Sequence, residues 1–200
     1  MAFETLLKFA QSAGISLREN EPLCDHTTFR IGGPARWFAQ PETVEQMIDL
    51  LAFVKAHHLS CAVVGKGSNL LVPDDGYNGL VIRTAEGVPC WHEDGCTVTV
   101  PSGYAMTRLS AEAAKRGLCG LTFAQGIPGT VGGAVVMNAG AYGGQIADTL
   151  VSSRCHSFSS SDETPNRCNR SSRTSSSVYS AAACPTGGSA AAVRSLTWTI

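Results

Sequence analysis

Apolar positions recur with helical and strand periods through residues 1–150 and then lose their pattern. Val44, Met47, Ile48, Leu51 and Val54 lie three or four residues apart, one face of a helix running from Thr43 to His57. Thr43 offers an N-cap hydroxyl, and Glu45 puts negative charge in the first turn, where the helix dipole favours it. Met106 to Arg116 reads as a second amphipathic helix, with Gly117 at the C′ position that requires positive φ. The opening MAFETLLKFAQSAG, a short apolar stretch broken by Glu4 and Lys8, predicts a further amphipathic helix within residues 1–19. Cys61 to Val64 is a short apolar run closed by Gly65 and predicts a buried strand. Leu80 to Ile82 predicts another strand, and Cys96 to Val100, alternating Cys-Thr-Val-Thr-Val, a third. Strands interspersed with helices define an α+β or α/β domain.

The pattern breaks near residue 151, and composition breaks with it. Residues 1–150 hold 6 Ser, with ten basic against fourteen acidic residues. Residues 151–200 hold 14 Ser, five Arg, no Lys and only two acidic residues. A stretch such as SSRCHSFSSSDETPNRCNRSSRTSSS has neither alternation nor helical repeat, so it buries too little apolar surface to offset its ordering entropy. Two readings remain: a disordered Ser-rich tail, or translation in a shifted frame.

Composition narrows the function mainly by exclusion. An apolar fraction of 44% and an aromatic fraction of 7% support a buried core. A net charge of −1, with no basic run carrying interleaved aromatics, argues against nucleic acid or an anionic membrane as partner. The N-terminus lacks a basic n-region and a small-residue cleavage site, and the longest apolar run after it, around Val131 to Ala141, is Gly-rich and too short for a bilayer. A cytoplasmic chain is expected. The eight cysteines form no C-x-x-C and no zinc-finger spacing with histidine, so the expectation is buried free thiols, with no metal and no disulfide framework.

The candidate chemistry lies in two glycine-rich loops. The first is Val63-Val-Gly-Lys-Gly-Ser-Asn-Leu-Leu71. Gly65 and Gly67 permit positive φ and close approach of a ligand, successive N–H groups in such a turn form an anion-binding nest, and Ser68 and Asn69 add side-chain donors. A tight turn between strands accounts for it equally well. It is not G-x-G-x-x-G, since Leu70 stands where the third glycine belongs, and it is not a Walker loop. The second runs from Gly126 to Gly144, and seven of its nineteen residues are Gly. Pro128 suits the start of a short helix, so that the N–H groups of Gly129, Thr130 and Val131 point at a phosphate or an electron-rich ring edge. Gly132 and Gly133 would let that helix lie close against a flat ligand. With Asn138 and Tyr142 in the same stretch, a ligand site is favoured over a packing turn.

Together with His26-Thr-Thr-Phe-Arg-Ile-Gly-Gly-Pro-Ala35 and Thr122-Phe-Ala-Gln-Gly-Ile-Pro128, the order and spacing of these blocks resemble the flavin-binding half of the UDP-N-acetylenolpyruvoylglucosamine reductase (UDP-N-acetylmuramate dehydrogenase) family. The resemblance covers residues from about 20 to 150 and stops where the composition breaks, which favours a shifted frame for 151–200. It implies a PCMH-type FAD-binding domain of two small α/β subdomains at 20–150, with FAD between them, followed by an irregular tail at 151–200. It implies that Gly65, Lys66, Gly67, Ser68, Asn69 and Leu70 grip the FAD diphosphate. Gly126, Ile127, Pro128, Gly129, Thr130, Gly132 and Gly133 would line diphosphate and isoalloxazine, with Asn138, Ala141 and Tyr142 nearby.

In this family NADPH reduces FAD, and the flavin reduces the enolpyruvyl double bond of a UDP-sugar in peptidoglycan precursor synthesis, with consequences for cell wall, shape and division. The protein orients the cofactor and supplies a proton. The resemblance implies a Ser or Cys proton donor, with an Arg and a Glu on the substrate carboxylate, all beyond the second loop. No residue here stands in a matching context. Arg173 falls near the expected place, but lies between Ser172 and Thr174 with no preceding Tyr. The substrate-binding C-terminal domain is accordingly expected to be absent, and the protein a monomer. Two alternatives share the FAD module. One is a flavin oxidase, where covalent attachment through a loop His is not expected because Gly65 to Asn69 has none. The other is a non-catalytic FAD-binding fragment.

Overall fold

The computed structural model describes residues 2–92, 96–155, 166–168 and 195–199. The chain divides into two compact units, Met1–Gly87 and Val88–Ile200, both mixing helix and sheet as expected of an α+β chain.

The first unit contains α1 (Ala2–Ser12), β1 (Ser16–Pro22), a 3-10 turn at Leu23–His26, β2 (Pro34–Gln40), α2 (Val44–Ala56), β3 (Cys61–Val64) and β4 (Tyr77–Arg83). Its sheet runs β1-β2-β4-β3, with β1 antiparallel to β2 and the other pairs parallel. The interior position of β4 explains its continuous apolar run: Leu80, Val81 and Ile82 are all buried. The Cys61–Val64 run differs from expectation. It forms the sheet edge and is only half-buried, with Val63 38% exposed. The N-terminal segment also divides, since helix stops at Ser12 and Ser16–Pro22 is a strand registered Ser16↔Gln40 to Pro22↔Pro34.

Thr43 caps α2 as anticipated. Its hydroxyl accepts from the Gln46 N–H (3.2 Å) while the Gln46 carboxamide accepts from the Thr43 N–H (3.3 Å), a reciprocal capping box. The same Gln46 carboxamide donates to the Ala13 carbonyl (3.0 Å), tying α2 to the end of α1. Phe9 and Phe53 stack across these helices at 4.4 Å.

The second unit contains β5 (Cys90–Trp91), β6 (Thr97–Pro101), α3 (Met106–Lys115), a 3-10 turn at Thr122–Gly126, α4 (Val131–Val136), β7 (Gly140–Ala141), β8 (Gly144–Gln145), a short turn at Ile146–Asp148, β9 (Ser152–Cys155), β10 (Asn166–Cys168) and β11 (Ser195–Thr199). The five-stranded sheet runs β10-β9-β11-β6-β5, and β11 is parallel to both of its neighbours. Val98, Val100, Met106, Leu109, Val131 and Ile146 are buried in one cluster. β9, β10 and β11 fall inside residues 151–200, where an irregular tail was expected. The remainder of that segment, Arg173 included, lies outside the described residues.

Each of α1 to α4 ends in the same way. A residue with positive φ stands at C′, Gly14 (66°), His58 (50°), Gly117 (71°) or Asn138 (44°). The next N–H reaches back five residues: Ile15 to Ala10 (2.8 Å), Leu59 to Val54 (3.0 Å), Leu118 to Ala113 (3.0 Å) and Ala139 to Ala134 (2.8 Å). These are Schellman closures, which satisfy carbonyls the helix itself cannot. Gly14 and Gly117 are the residue type that this position favours, and at Asn138 the positive φ falls on one of the few side chains that tolerate it.

Tyr104 closes the polar edge of the second core. Its ring is buried, its hydroxyl donates to the Glu112 carboxylate (2.6 Å), and Arg108 lies 5.1 Å over the ring. Burial first, then the Glu112 contact, push the phenol up to about 12 from its ordinary 10.0. The folded protein therefore holds this proton more tightly than the unfolded chain. The contribution is fully present below pH 10 and disappears as pH rises toward about 12. Tyr104→Phe should lower the unfolding free energy at pH 8 by about 1 kcal/mol through the lost hydrogen bond. It should also flatten the decline between pH 10 and 12, measured by denaturant midpoints across that window.

Candidate ligand-binding loops

The first loop leaves β3 at Val64 and runs through Leu71 toward β4. Its conformation depends on a second backbone segment, residues 26–33. The Thr28 N–H donates to the Gly67 carbonyl (3.1 Å), and the Gly33 N–H to the Pro73 carbonyl (2.9 Å). Gly67 is buried with φ 65°, and a Cβ there would overlap the carbonyl oxygen of His26. Gly33 and Gly76 are similarly enclosed, by the backbone at Asp74 and Pro34. Gly67 is thus required by contact within the protein as well as by its φ, and Gly65 takes no positive φ.

What the loop leaves open is its row of amides. Among the described residues the backbone N–H groups of Gly65, Lys66, Gly67, Asn69 and Leu70 donate to no protein group. Lys66 and Asn69 are exposed, whereas Leu70 packs partly into the core around Phe38 and Val72. A positive-φ residue within a run of undonated amides is the construction of an anion-binding nest. Of the two readings open from sequence, the contacts at Gly67 account for the turn, and the undonated amides leave room for the nest.

The second loop is stitched to the turn between β6 and α3. The Met106 N–H donates to the Gly129 carbonyl (3.1 Å), Val131 to Tyr104 (2.8 Å) and Gly132 to Ser102 (2.8 Å). These bonds correct the expected donor set, because the Val131 N–H is already used and only those of Gly129 and Thr130 lack a protein acceptor among the described residues. Thr130 is 3% exposed and caps α4, its hydroxyl accepting from Gly133 (3.3 Å). Pro128 precedes that cap by two residues and so does not open the helix. Ile127 packs against the second core.

The glycines of this loop divide by surroundings. A Cβ on Gly132 would lie 2.8 Å from the Ser102 Cβ, so this glycine serves packing between α4 and the β6–α3 turn, not a flat ligand. One on Gly144 would meet Phe123 at 3.0 Å. Gly126 has nothing within 4 Å, and Gly133 meets only its own cap hydroxyl at 3.4 Å. Gly126 and Gly133 are both exposed. They have open space beside them, as does Gly143 in the hairpin turn.

Asn138, Ala141 and Tyr142 have different surroundings again. The Asn138 amide is used at both ends, donating to Gln145 (3.0 Å) and accepting from the Ala147 N–H (3.0 Å), so it clasps the hairpin that follows α4. Ala141 ends β7. Tyr142 and Gly143, with φ of 53° and 83°, form the two-residue turn between β7 and β8, in which both positions need positive φ. Tyr142 is 94% exposed.

Neither loop holds acid–base machinery. Among the described residues the side chains with shifted ionisation are Tyr104 and Cys61, whose thiol is pushed up by burial and so held protonated, and both lie outside the loops. His57 stacks on Phe53 (3.9 Å) and reaches its carbonyl (2.9 Å), a helix-end role. Among the described residues no three His, Cys, Asp or Glu side chains group as metal ligands, and no helix is long and apolar enough to cross a membrane. Main-chain donors on rigid turns suit the binding of a cofactor that brings its own chemistry.

Comparison with known proteins gives that cofactor a class. Residues 35–157 match the model of a family described as FAD binding domain, and the chain belongs to that family of flavoproteins. Two similar relatives carry the same name. The chain is 48% identical over 136 residues to the UDP-N-acetylenolpyruvoylglucosamine reductase of Bacillus velezensis, covering 68% of this chain and 45% of the relative. It is 47% identical over 132 residues to that of Bacillus subtilis, covering 66% and 44%. The crystal structure of UDP-N-acetylenolpyruvylglucosamine reductase from Thermus caldophilus superposes with a TM-score of 0.53 and 37% identity, over 69% of this chain and 47% of that one. CrmK, a flavoenzyme of caerulomycin biosynthesis, superposes with a TM-score of 0.52 over 69% of this chain and 30% of that one; at 16% identity this shows shared fold alone. The chain spans just under half the length of the reductases it matches.

The two adjacent helix glycines should respond oppositely to alanine. Gly132→Ala forces a methyl against Ser102 and should cost about 1–3 kcal/mol, the range for overpacking. Gly133→Ala should leave stability unchanged or raise it by up to about 1 kcal/mol, because alanine favours helix. Urea unfolding of both variants checks this, and the reverse order would contradict the assigned packing.

Proposed function

We propose that this chain is the FAD-holding part of a reductase that converts UDP-N-acetylenolpyruvoylglucosamine to UDP-N-acetylmuramate with NADPH as hydride donor. The observation that carries the reading is the set of amides of Gly65, Lys66, Gly67, Asn69 and Leu70, which donate to no protein group among the described residues, in a chain 48% identical to a reductase of that name. Those amides, with Lys66 beside them, suit a diphosphate, since they offer directed hydrogen bonds and one positive charge. Gly126 and Gly133 offer backbone that a flat ring can approach. Bound FAD supplies hydride acceptance and donation, and the residues described here hold and orient it.

The substrate-side groups are a separate matter. The reaction needs a proton donor and a cation for the substrate carboxylate, and no residue of this sequence stands in the matching context. We therefore take the 200-residue chain to bind FAD without turning over the UDP-sugar. Cytoplasmic location and a monomeric state belong to the same proposal, as NADPH and UDP-sugars are intracellular pools.

Titration with FAD, followed by visible absorbance, tests the reading. The purified chain should take up flavin and release it on acid precipitation, because the first loop has no His for covalent attachment. Gly126→Ala and Gly133→Ala should each weaken FAD binding by about tenfold or more, roughly 1.4 kcal/mol, without loss of fold. NADPH consumption in the presence of the enolpyruvyl sugar should stay at background. A folded chain that takes up no FAD sinks the proposal.

A further inference from the structure

Between Thr28 and Gly33 the chain runs beside the first glycine loop and is tied to it at both ends. The Thr28 N–H donates to the Gly67 carbonyl (3.1 Å), and the Gly33 N–H to the Pro73 carbonyl (2.9 Å). Inside those ties Gly32 lies so close to Val72 that a Cβ on it would overlap the valine side chain. The two stretches therefore follow one another in the same direction, and Phe29, Arg30 and Ile31 are bracketed alongside residues 68–71. Asn69 and Leu70, within that stretch, are two of the residues whose amides donate to no protein group among the described residues.

Arg30 stands in the middle of the bracket, in a conformation its residue type does not favour. Its φ is 54°, in the left-handed region where a Cβ crowds the backbone. A closed turn holds it there: the Arg30 N–H donates to the Thr27 carbonyl (3.3 Å), and the hydroxyl of the buried Thr27 donates to the Ile31 carbonyl (3.4 Å). Core packing does not account for what this turn presents, since Phe29 and Ile31 are 56% and 52% exposed and Arg30 is exposed between them. Nor does the guanidinium serve another side chain. Among the described residues it makes no hydrogen bond, ion pair or ring contact. Backbone outliers that the surroundings enforce are concentrated at ligand-binding positions.

The chemistry of the neighbouring loop gives this cation an object. A dinucleotide diphosphate carries more negative charge than Lys66 alone offsets, and backbone amides contribute only partial charges. A guanidinium adds a full charge on a planar fork that matches phosphate oxygens. We propose that Arg30 is a binding residue of the first loop, its guanidinium pairing with the ligand's phosphate oxygens alongside the amides of Asn69 and Leu70. This rests on the reading that the loop receives the FAD diphosphate.

The test measures the dissociation constant of FAD for the full chain at low and at high salt. Arg30→Asn removes the charge and keeps the turn, because Asn tolerates positive φ. Its urea midpoint should equal or exceed that of the wild type, while FAD binds about tenfold more weakly at low salt. That gap should narrow at high salt, as ions screen the exposed pair in the wild type. Arg30→Lys, which keeps the charge without the fork, should recover part of the affinity. Wild-type affinity in Arg30→Asn overturns the proposal and leaves the FAD reading standing. So does a loss of equal size at both salt concentrations, or an Arg30→Lys variant as weak as Arg30→Asn. An Arg30→Asn chain that fails to fold also overturns it, because the side chain then serves the fold. A wild-type chain that binds no FAD removes the underlying reading and the proposal together.

Discussion

The hydrogen bond from the Thr28 N–H to the Gly67 carbonyl joins two segments some forty positions apart, and the geometry of the first loop follows from it. A loop bearing undonated amides has no hydrogen-bond ladder to define its shape, and every donor it turns outward is one it cannot use to hold itself. The protein resolves this by fixing the loop through carbonyls and through contact. The Gly67 carbonyl accepts from Thr28, the Pro73 carbonyl from Gly33 and Gly76, and Gly67 has no Cβ to hold His26 away. Acceptors go to the fold, and the donors of Gly65, Lys66, Gly67, Asn69 and Leu70 go to no protein group among the described residues.

The second unit follows the same division. The carbonyls of Ser102, Tyr104 and Gly129 take part in bonds that lash the loop to the turn before α3. The amides of Gly129 and Thr130 are left over among the described residues. α4 has six residues, too few to be stable in isolation, and the Thr130 cap, the Gly132 contact and the Asn138 closure hold it from both ends.

Much of this was legible in the sequence where a local rule applied. Thr43, Gly117 and the faces of α2 and α3 follow from capping and periodicity within one element. The strand assignment of Cys61–Val64 held but its burial did not, since an apolar run does not say whether a strand lies at the edge or in the middle of its sheet. β1 was missed because SLRENEP is an exposed edge strand with little apolar alternation. Glycine content marked both loops, yet residue type cannot say what each glycine is for. Gly67 and Gly132 face protein, Gly126 and Gly133 face open space, and only the partner segments distinguish them. Asn138 drew notice as a polar residue in a glycine-rich stretch, and its amide turned out to be occupied by the hairpin.

The pairing of β11 has a consequence for how the chain acquires its structure. The sheet of the first unit is assembled from residues 16–83, so its strands can find one another while later residues are still being made. In the second unit β11 stands between β9 and β6, with Ser195 opposite Thr97, and among the described residues no strand before it in the sequence joins those two neighbours. Closing so wide a loop before any contact rewards it is slow. During synthesis β6 waits with one edge open until Ser195–Thr199 arrives, and an open edge is a template for other chains. The order of events on the ribosome therefore differs between the units: the first closes early, and the second passes through an interval in which it needs protection from its neighbours.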